Sequence, residues 1–194
     1  TARLTTMEIC FPRIVLAEFN THRMLSRNSA SSRAIPVERR IRDVRANPFV
    51  PEAFGRNQKG MQAGEALGDA EQQAAEVAWR NAMMRACDCA EDLVKAGVHK
   101  QWANRLVEPF AWHTVVVTAT EWTNYFNLRI SKPAQPEIRR VAELMLEAMN
   151  RSRPEIVESG GWHLPYVTKR DPADLAWDDL PKVPTARCAR VPHR

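Results

Sequence analysis

Apolar positions along the chain follow two periods, separated by polar stretches, and these set the elements that the sequence predicts. Met7 to Phe19 starts as an extended β-type run with Pro12 near its middle, which favours an edge strand or a strand end; Ile14 to Phe19 then opens a short helix. Thr21 to Arg33 is polar and reads as a loop. Residues 36–68 carry Pro36, Pro48, Pro51 and four glycines, so beyond a short helix at Val37 to Arg45 they read as a long irregular excursion. Asp69 to Ala96 is the clearest helix, with Val77, Met84, Cys87 and Val94 near one face and Gly97 as its stop.

Farther along, Lys100 to Val107 reads as a short helix ending before Pro109, and Trp112 to Ala119 as a mostly buried strand. Thr118-x-x-Glu121 has the form of a capping box opening a helix through Asn127 or Arg129. Pro136 launches another helix, with Ile138, Val141, Ala142, Met145, Ala148 and Met149 in a 3.6-residue stripe that Pro154 closes. After Gly160-Gly161 the tail has little periodicity. Helices with few strands imply an α+β or α/β class.

The 194 residues suffice for a single domain with a real core, which argues against a small disulfide scaffold or a solenoid. Charge is unevenly spread. Residues 1–56 hold ten Arg, no Lys and five acidic residues, whereas the remaining basic and acidic side chains cancel, so the whole net charge of +5 sits in that first block. Arginine grips phosphate and carboxylate with two parallel hydrogen bonds, so the block points to an anion site or a nucleic-acid face, with plain basic surface as the alternative. Cys10, Cys87, Cys89 and Cys188 do not resemble a disulfide framework and fit a reducing cytoplasm. Cys87 and Cys89 diverge on a helix, no metal ligand set stands out, and no cysteine is singled out as a nucleophile. No apolar stretch approaches the roughly 18 residues that span a bilayer. The start at Thr1 is consistent with a processed or truncated N-terminus.

Candidate chemistry concentrates in Thr21-His22-Arg23-Met24-Leu25-Ser26-Arg27-Asn28-Ser29-Ala30-Ser31-Ser32-Arg33. Guanidinium, hydroxyl and backbone donors in one loop suit a phosphate monoester. By composition alone a solvated turn with helix caps reads equally well.

The order of residues favours function. His22-Arg23, seven residues and Ser31, with Arg33 two further on, resembles the signature of the flavin-dependent thymidylate synthases, Arg-His-Arg, seven residues and Ser. Ser26, Asn28, Ser31 and Arg33 fall at matching places, whereas Thr21 stands at the first Arg. Asn124 to Arg129 followed by Ala134-Gln135-Pro136-Glu137-Ile138 is similar to the family's second motif, and Arg105-Leu106-Val107-Glu108-Pro109 to its Arg-x-x-Leu-Pro, with Glu108 in place of leucine. Three matches in order are more specific than any one.

The resemblance implies an α+β fold with a mixed, largely antiparallel sheet and long helices, in a single catalytic domain over 1–194. It implies reductive C5 methylation of dUMP to dTMP, with FAD as cofactor, NADPH and methylenetetrahydrofolate as co-substrates, and a homotetramer with shared active sites. Arg129 and Ser31 match catalytic positions. Glu18, Thr21, Ser29, Ser31, Ser32, Arg33, Arg105 and Arg129 match nucleotide-binding ones, and Thr21, His22, Arg23, Ser29 and Asn124 match flavin-binding ones. Taken singly, His22 also reads as a loop histidine, Arg129 as a helix-ending cation and Asn124 as a surface residue.

Ala186-Arg187-Cys188-Ala189-Arg190-Val191 resembles a segment that lies near the N-terminus of ordinary members. Its place here implies a circularly permuted, viral-type chain, acting in a host cytoplasm. The His-x-x-Pro-Phe-Glu-His stretch that follows it in those members is missing, so the chain reads as cut short at its C-terminus, as building its flavin site differently, or as having lost flavin binding. Glu18 stands where glutamine is usual, and a carboxylate at the base edge accepts from an exocyclic amine. A dCMP or dUMP C5 methylase or hydroxymethylase serving modified viral DNA is therefore the nearest alternative, followed by a catalytically inactive relative. A basic nucleic-acid-binding module is disfavoured, because Phe11, Phe19, Phe49 and Phe54 form no stacking series among the arginines.

Overall fold

A computed structural model describes residues 2–168, 171, 176 and 179–193. Thr1 and Arg194, the first and last residues of the sequence, lie outside the described residues. Three strands form one antiparallel sheet, β1 (Thr5–Pro12), β2 (Ser26–Ser29) and β3 (Trp112–Ala119), in the order β1-β3-β2. Around it lie α1 (Leu16–Phe19), α2 (Val37–Ala46), α3 (Asp69–Lys95), α4 (Lys100–Leu106), α5 (Thr123–Arg129), α6 (Pro136–Arg151) and α7 (Lys182–Arg190). This is the α+β class with an antiparallel sheet and long helices.

β3 is central because its middle is apolar on both faces: Val115, Val116 and Val117 are all buried. Thr5 pairs with Ala119 and Pro12 with Trp112, so Pro12 ends an edge strand, where its missing N–H costs the ladder little. On one side α1, α5 and α6 close over Phe11, Phe19, Val115, Val117, Tyr125 and Ile138. A second apolar cluster joins α2, α3 and α4 through Val37, Ile41, Val44, Met83, Cys87 and Ala103. Gly97, at φ +76°, stops α3 in a conformation that favours glycine, and the next amide returns to Leu93 O at 2.9 Å.

Several expected features differ. The polar loop contains β2, whose Ser26 and Ser29 pair with Thr118 and Val115; β3 supplies the ladder that the polar sequence does not advertise. On α3, Val77 and Met84 are exposed, and the buried line runs through Met83, Cys87 and Ala90, because Trp79 anchors that face against Phe49 and Phe110. Thr118 caps nothing: it lies in β3 and shares a 2.7 Å hydroxyl hydrogen bond with Thr6. α5 starts at Thr123, whose amide donates to Glu121 Oε1 at 2.6 Å. Ala148 faces solvent on α6. The tail contains α7, held to β2 where Asn28 Nδ2 donates to Cys188 O at 3.0 Å, and residues 191–193 follow with Val191 buried. No helix among the described residues is long and apolar enough to cross a membrane.

Candidate active site

Arg129 ends α5 and points back onto α1 and the turn that follows it. Its Nε donates to His22 Nε2 at 2.7 Å, one terminal nitrogen pairs with Glu18 Oε1, and the other lies 3.3 Å from Thr21 Oγ1. Thr21 itself donates to the Glu18 carbonyl at 2.7 Å, which closes the turn. A guanidinium carries five N–H donors, so three are spent and two remain for a ligand. The Glu18 and Arg129 side chains stay 30% and 17% exposed, so the pair is reachable.

His22 is 8% exposed and stacks edge-on against Tyr125, with ring centroids 4.9 Å apart. Because its Nε2 accepts from Arg129, its proton sits on Nδ1 and the ring is neutral. Burial, reinforced by the charges of Arg129 and Arg27, pushes its pKa below the ordinary histidine value. Arg27 holds the turn itself: it donates to Asn20 Oδ1 at 2.7 Å and to the carbonyls of Asn20, His22 and Leu25.

At the other end of β2 a second group forms. Ser31 and Arg33 are exposed, and the Arg33 amide donates to Ser31 Oγ at 3.3 Å. Asn104, fully buried on α4, donates to Ser32 O and Ile35 O at 2.7 and 2.8 Å, which fixes this loop against α4, the helix that carries the exposed Arg105. Arg33 and Arg105 have no polar side-chain partner among the described residues, so their forks are free for an anion. Ser29 is half-buried at the end of β2. Ser32 is buried, and its hydroxyl is bonded to Glu108, which also pairs with Arg13 at 3.4 Å.

The sequence reading missed Glu108, Asn104 and Arg27. Glu108 had a signal, standing where leucine was expected. Asn104 and Arg27 had none, since each acts through carbonyls that only the fold brings near.

The residues with donors free to hold a flavin would be Arg23 and Asn124. Arg23 and Asn124 are exposed, without polar partners among the described residues, and flank the His22–Tyr125 contact in sequence, which fits the polar edges and phosphates of such a group. His22 presents no free nitrogen at Nε2 in this arrangement.

The model of the family described as thymidylate synthase complementing protein matches residues 4–155. No curated protein matches the chain. Among solved structures, it is similar to a UMP/dUMP methylase PolB from Streptomyces cacaoi bound with 5-Br UMP, at TM-score 0.62 and 19% identity, over 75% of this chain and 68% of that one. The same methylase bound with 5-Br dUMP matches at TM-score 0.58 and 21% identity, over 75% and 65%. At these identities the likeness is one of fold.

Proposed function

Because the chain belongs to the thymidylate synthase complementing protein family, we propose that it binds dUMP with the base edge at Arg129 and the phosphate at Ser31, Arg33 and Arg105. The family makes it a methyltransferase of the flavin-dependent thymidylate synthase type, acting at C5 of dUMP. The observation that carries the residue assignment is Arg129, immobilised by Glu18, Thr21 and His22 yet left with two unspent donors.

A guanidinium held against the carbonyl edge of the pyrimidine stabilises the negative charge that develops when N3 loses its proton. Prior fixation by three partners means little reorganisation is needed when that charge appears. Neutral His22 adds no competing positive charge and sets the angle of the guanidinium. Glu18 offsets the charge of Arg129 before substrate arrives and holds it in place. Ser31, Arg33 and Arg105 supply the hydroxyl and forked donors that a phosphate monoester requires. FAD, when bound, supplies the reducing electrons; Arg23 and Asn124 would hold it, with Thr21, His22 and Ser29 beside them. NADPH and methylenetetrahydrofolate are the co-substrates of this reading.

Met24 at 75%, Leu128 at 50% and Trp102 at 59% exposure flank the two residue groups. Apolar side chains left bare beside a polar site are what a covering surface explains, and this supports a homotetramer whose copies complete one another's sites. The seating of α7 against β2 supports the permuted order. The four free cysteines support a reducing cytoplasm.

Glu18 favours a second reading, a cytosine nucleotide as substrate, since its half-buried carboxylate beside Arg129 would accept from a 4-amino group. The test is to purify the protein, record its flavin spectrum and titrate dUMP, UMP and dCMP. Flavin with preferential dUMP binding is expected; preferential dCMP binding would install the second reading, and binding of neither flavin nor nucleotide would refute both.

A further inference from the structure

Between α2, the start of β3 and the turn at 191–193 lies a cavity of about 330 Å³. None of the residues assigned above to nucleotide or flavin lines it. Its walls include Arg39, Arg40, Asp43, Trp112, His113 and His193. The volume is at the lower end of the range for small-molecule sites.

Arg40 is the unusual group. It is 8% exposed, its Nε has no hydrogen-bond partner, and its one described side-chain hydrogen bond is a long 3.5 Å approach to the Trp112 carbonyl. A buried guanidinium without a carboxylate is costly unless something compensates it. The nearby acids are already engaged. Glu108 is shared by Arg13 and Ser32, and Asp43 is shared by Arg39 at 3.5 Å and Arg42 at 3.7 Å. Four guanidinia therefore face two carboxylates, an excess of two positive charges. Burial, and next the charge of Arg13, work against the protonated form of Arg40. His113, 3% exposed with Nε2 unpartnered, lines the same cavity and is neutral, so it offers one donor or acceptor without further charge.

The remaining walls suit a ligand larger than a bare ion. The Trp112 ring is 39% exposed, steadied edge-on by Phe49 at 5.7 Å, and presents an aromatic face at the rim. Arg39, anchored by its 2.8 Å bond to His193 O, brings a second guanidinium to the cavity.

We propose that this cavity is a second anion site, in which Arg40 and Arg39 hold the phosphate group of a small ligand. It stands independently of the methylation reading, since it rests on residues that reading does not use.

The test is thermal unfolding and calorimetric titration of the full chain with inorganic phosphate, AMP and dUMP, with sodium chloride at matched ionic strength. The expected result is a saturable rise in Tm with phosphate that chloride does not reproduce. Arg40→Met, which removes the charge and keeps the length of the side chain, should fold and lose that response, with the phosphate Kd weakened at least about tenfold. Arg39→Gln is the second variant should Arg40→Met fail to fold, and it should also weaken phosphate. Tighter binding of AMP than of phosphate would identify a nucleotide as the source of the anion, and equal binding would identify free phosphate. An absent or non-saturable response, or one unchanged in both variants, would overturn the proposal. So would a response abolished by Arg33→Ala, which would place the anion in the substrate site.

Discussion

Acidification from pH 7 to pH 5 should destabilise the protein chiefly through His113. This ring is 3% exposed, packs against Phe11 at 6.2 Å, and has Arg13 and Arg40 nearby. Burial first, and then those two charges, push its pKa from 6.5 down to about 3. In the unfolded chain the histidine takes up its proton near pH 6.5, whereas in the folded chain it stays neutral throughout this range. The unfolded state thus binds more protons, so stability falls as pH drops below 6.5 and stops falling only near the folded value. At pH 5 the loss is 1.5 pH units at about 1.4 kcal/mol each, roughly 2 kcal/mol. For a chain of this length that lowers Tm by about 4–8 °C. His22 acts with the same sign, because its pKa is also lowered. The assay is urea unfolding of wild type and His113→Phe at both pH values in phosphate-free buffer. The variant keeps a ring in the slot and removes an unpartnered nitrogen, so it should lose about 2 kcal/mol less than wild type between pH 7 and pH 5. Equal pH dependence in the two proteins would refute the argument.

Other changes separate chemistry from scaffold. Arg129→Lys keeps the charge and removes the fork, and should lower kcat for dUMP by at least about 100-fold with an unchanged circular dichroism spectrum; retained turnover would remove Arg129 from the reaction. Glu18→Gln frees Arg129 from its ion pair and should shift the ratio of dUMP to dCMP affinity toward dUMP, as paired titrations would show; an unchanged ratio would place Glu18 away from the base. Asn104→Leu leaves the carbonyls of Ser32 and Ile35 unpaired, and should cost about 2–3 kcal/mol in urea unfolding while raising KM more than it lowers kcat. Ile138→Ala, at a fully buried position between α6 and the sheet, should cost about 2–5 kcal/mol without changing KM.

The elements legible in the sequence are those whose own residues bury them. β3 reads as a strand because Val115 to Val117 leave it no polar face, and α6 because Ile138, Val141, Ala142 and Met145 repeat at helical spacing. β2 is different: Ser26-Arg27-Asn28-Ser29 has no apolar face, and its conformation comes from hydrogen bonds to a strand some ninety residues away. The α3 face departs from expectation at Val77 and Met84, though not at Cys87, for a related reason. Local apolarity does not separate Met84 from the adjacent Met83, and the position of Trp79 against Phe49, Phe54 and Phe110 decides which side turns inward. In the proposed site, motif order points to residue types, whereas which hydroxyl or guanidinium is still free depends on partners such as Glu108 that the fold supplies.

That distinction resolves the ten arginines of residues 1–56. Arg3 donates to Met149 O, Arg13 pairs with Glu108, Arg27 clamps the turn before β2, Arg39 and Arg42 share Asp43, Arg45 bridges Asp88 and Glu91, and Arg56 pairs with Glu71. Arg39, Arg42 and Arg45, which in the sequence could pass for plain surface charge, thus tie α2 to itself, to the C-terminal turn and to α3. A diffuse polyanion surface would leave most of these guanidinia open along one face. Instead Arg23 and Arg33 remain open on either side of β2, and Arg40 is buried without an ion pair of its own among the described residues. An arginine excess used mainly for internal bonds, with a few forks held back at defined places, suits small phosphate-bearing ligands better than a nucleic-acid backbone, whose affinity comes from many exposed phosphate contacts at once.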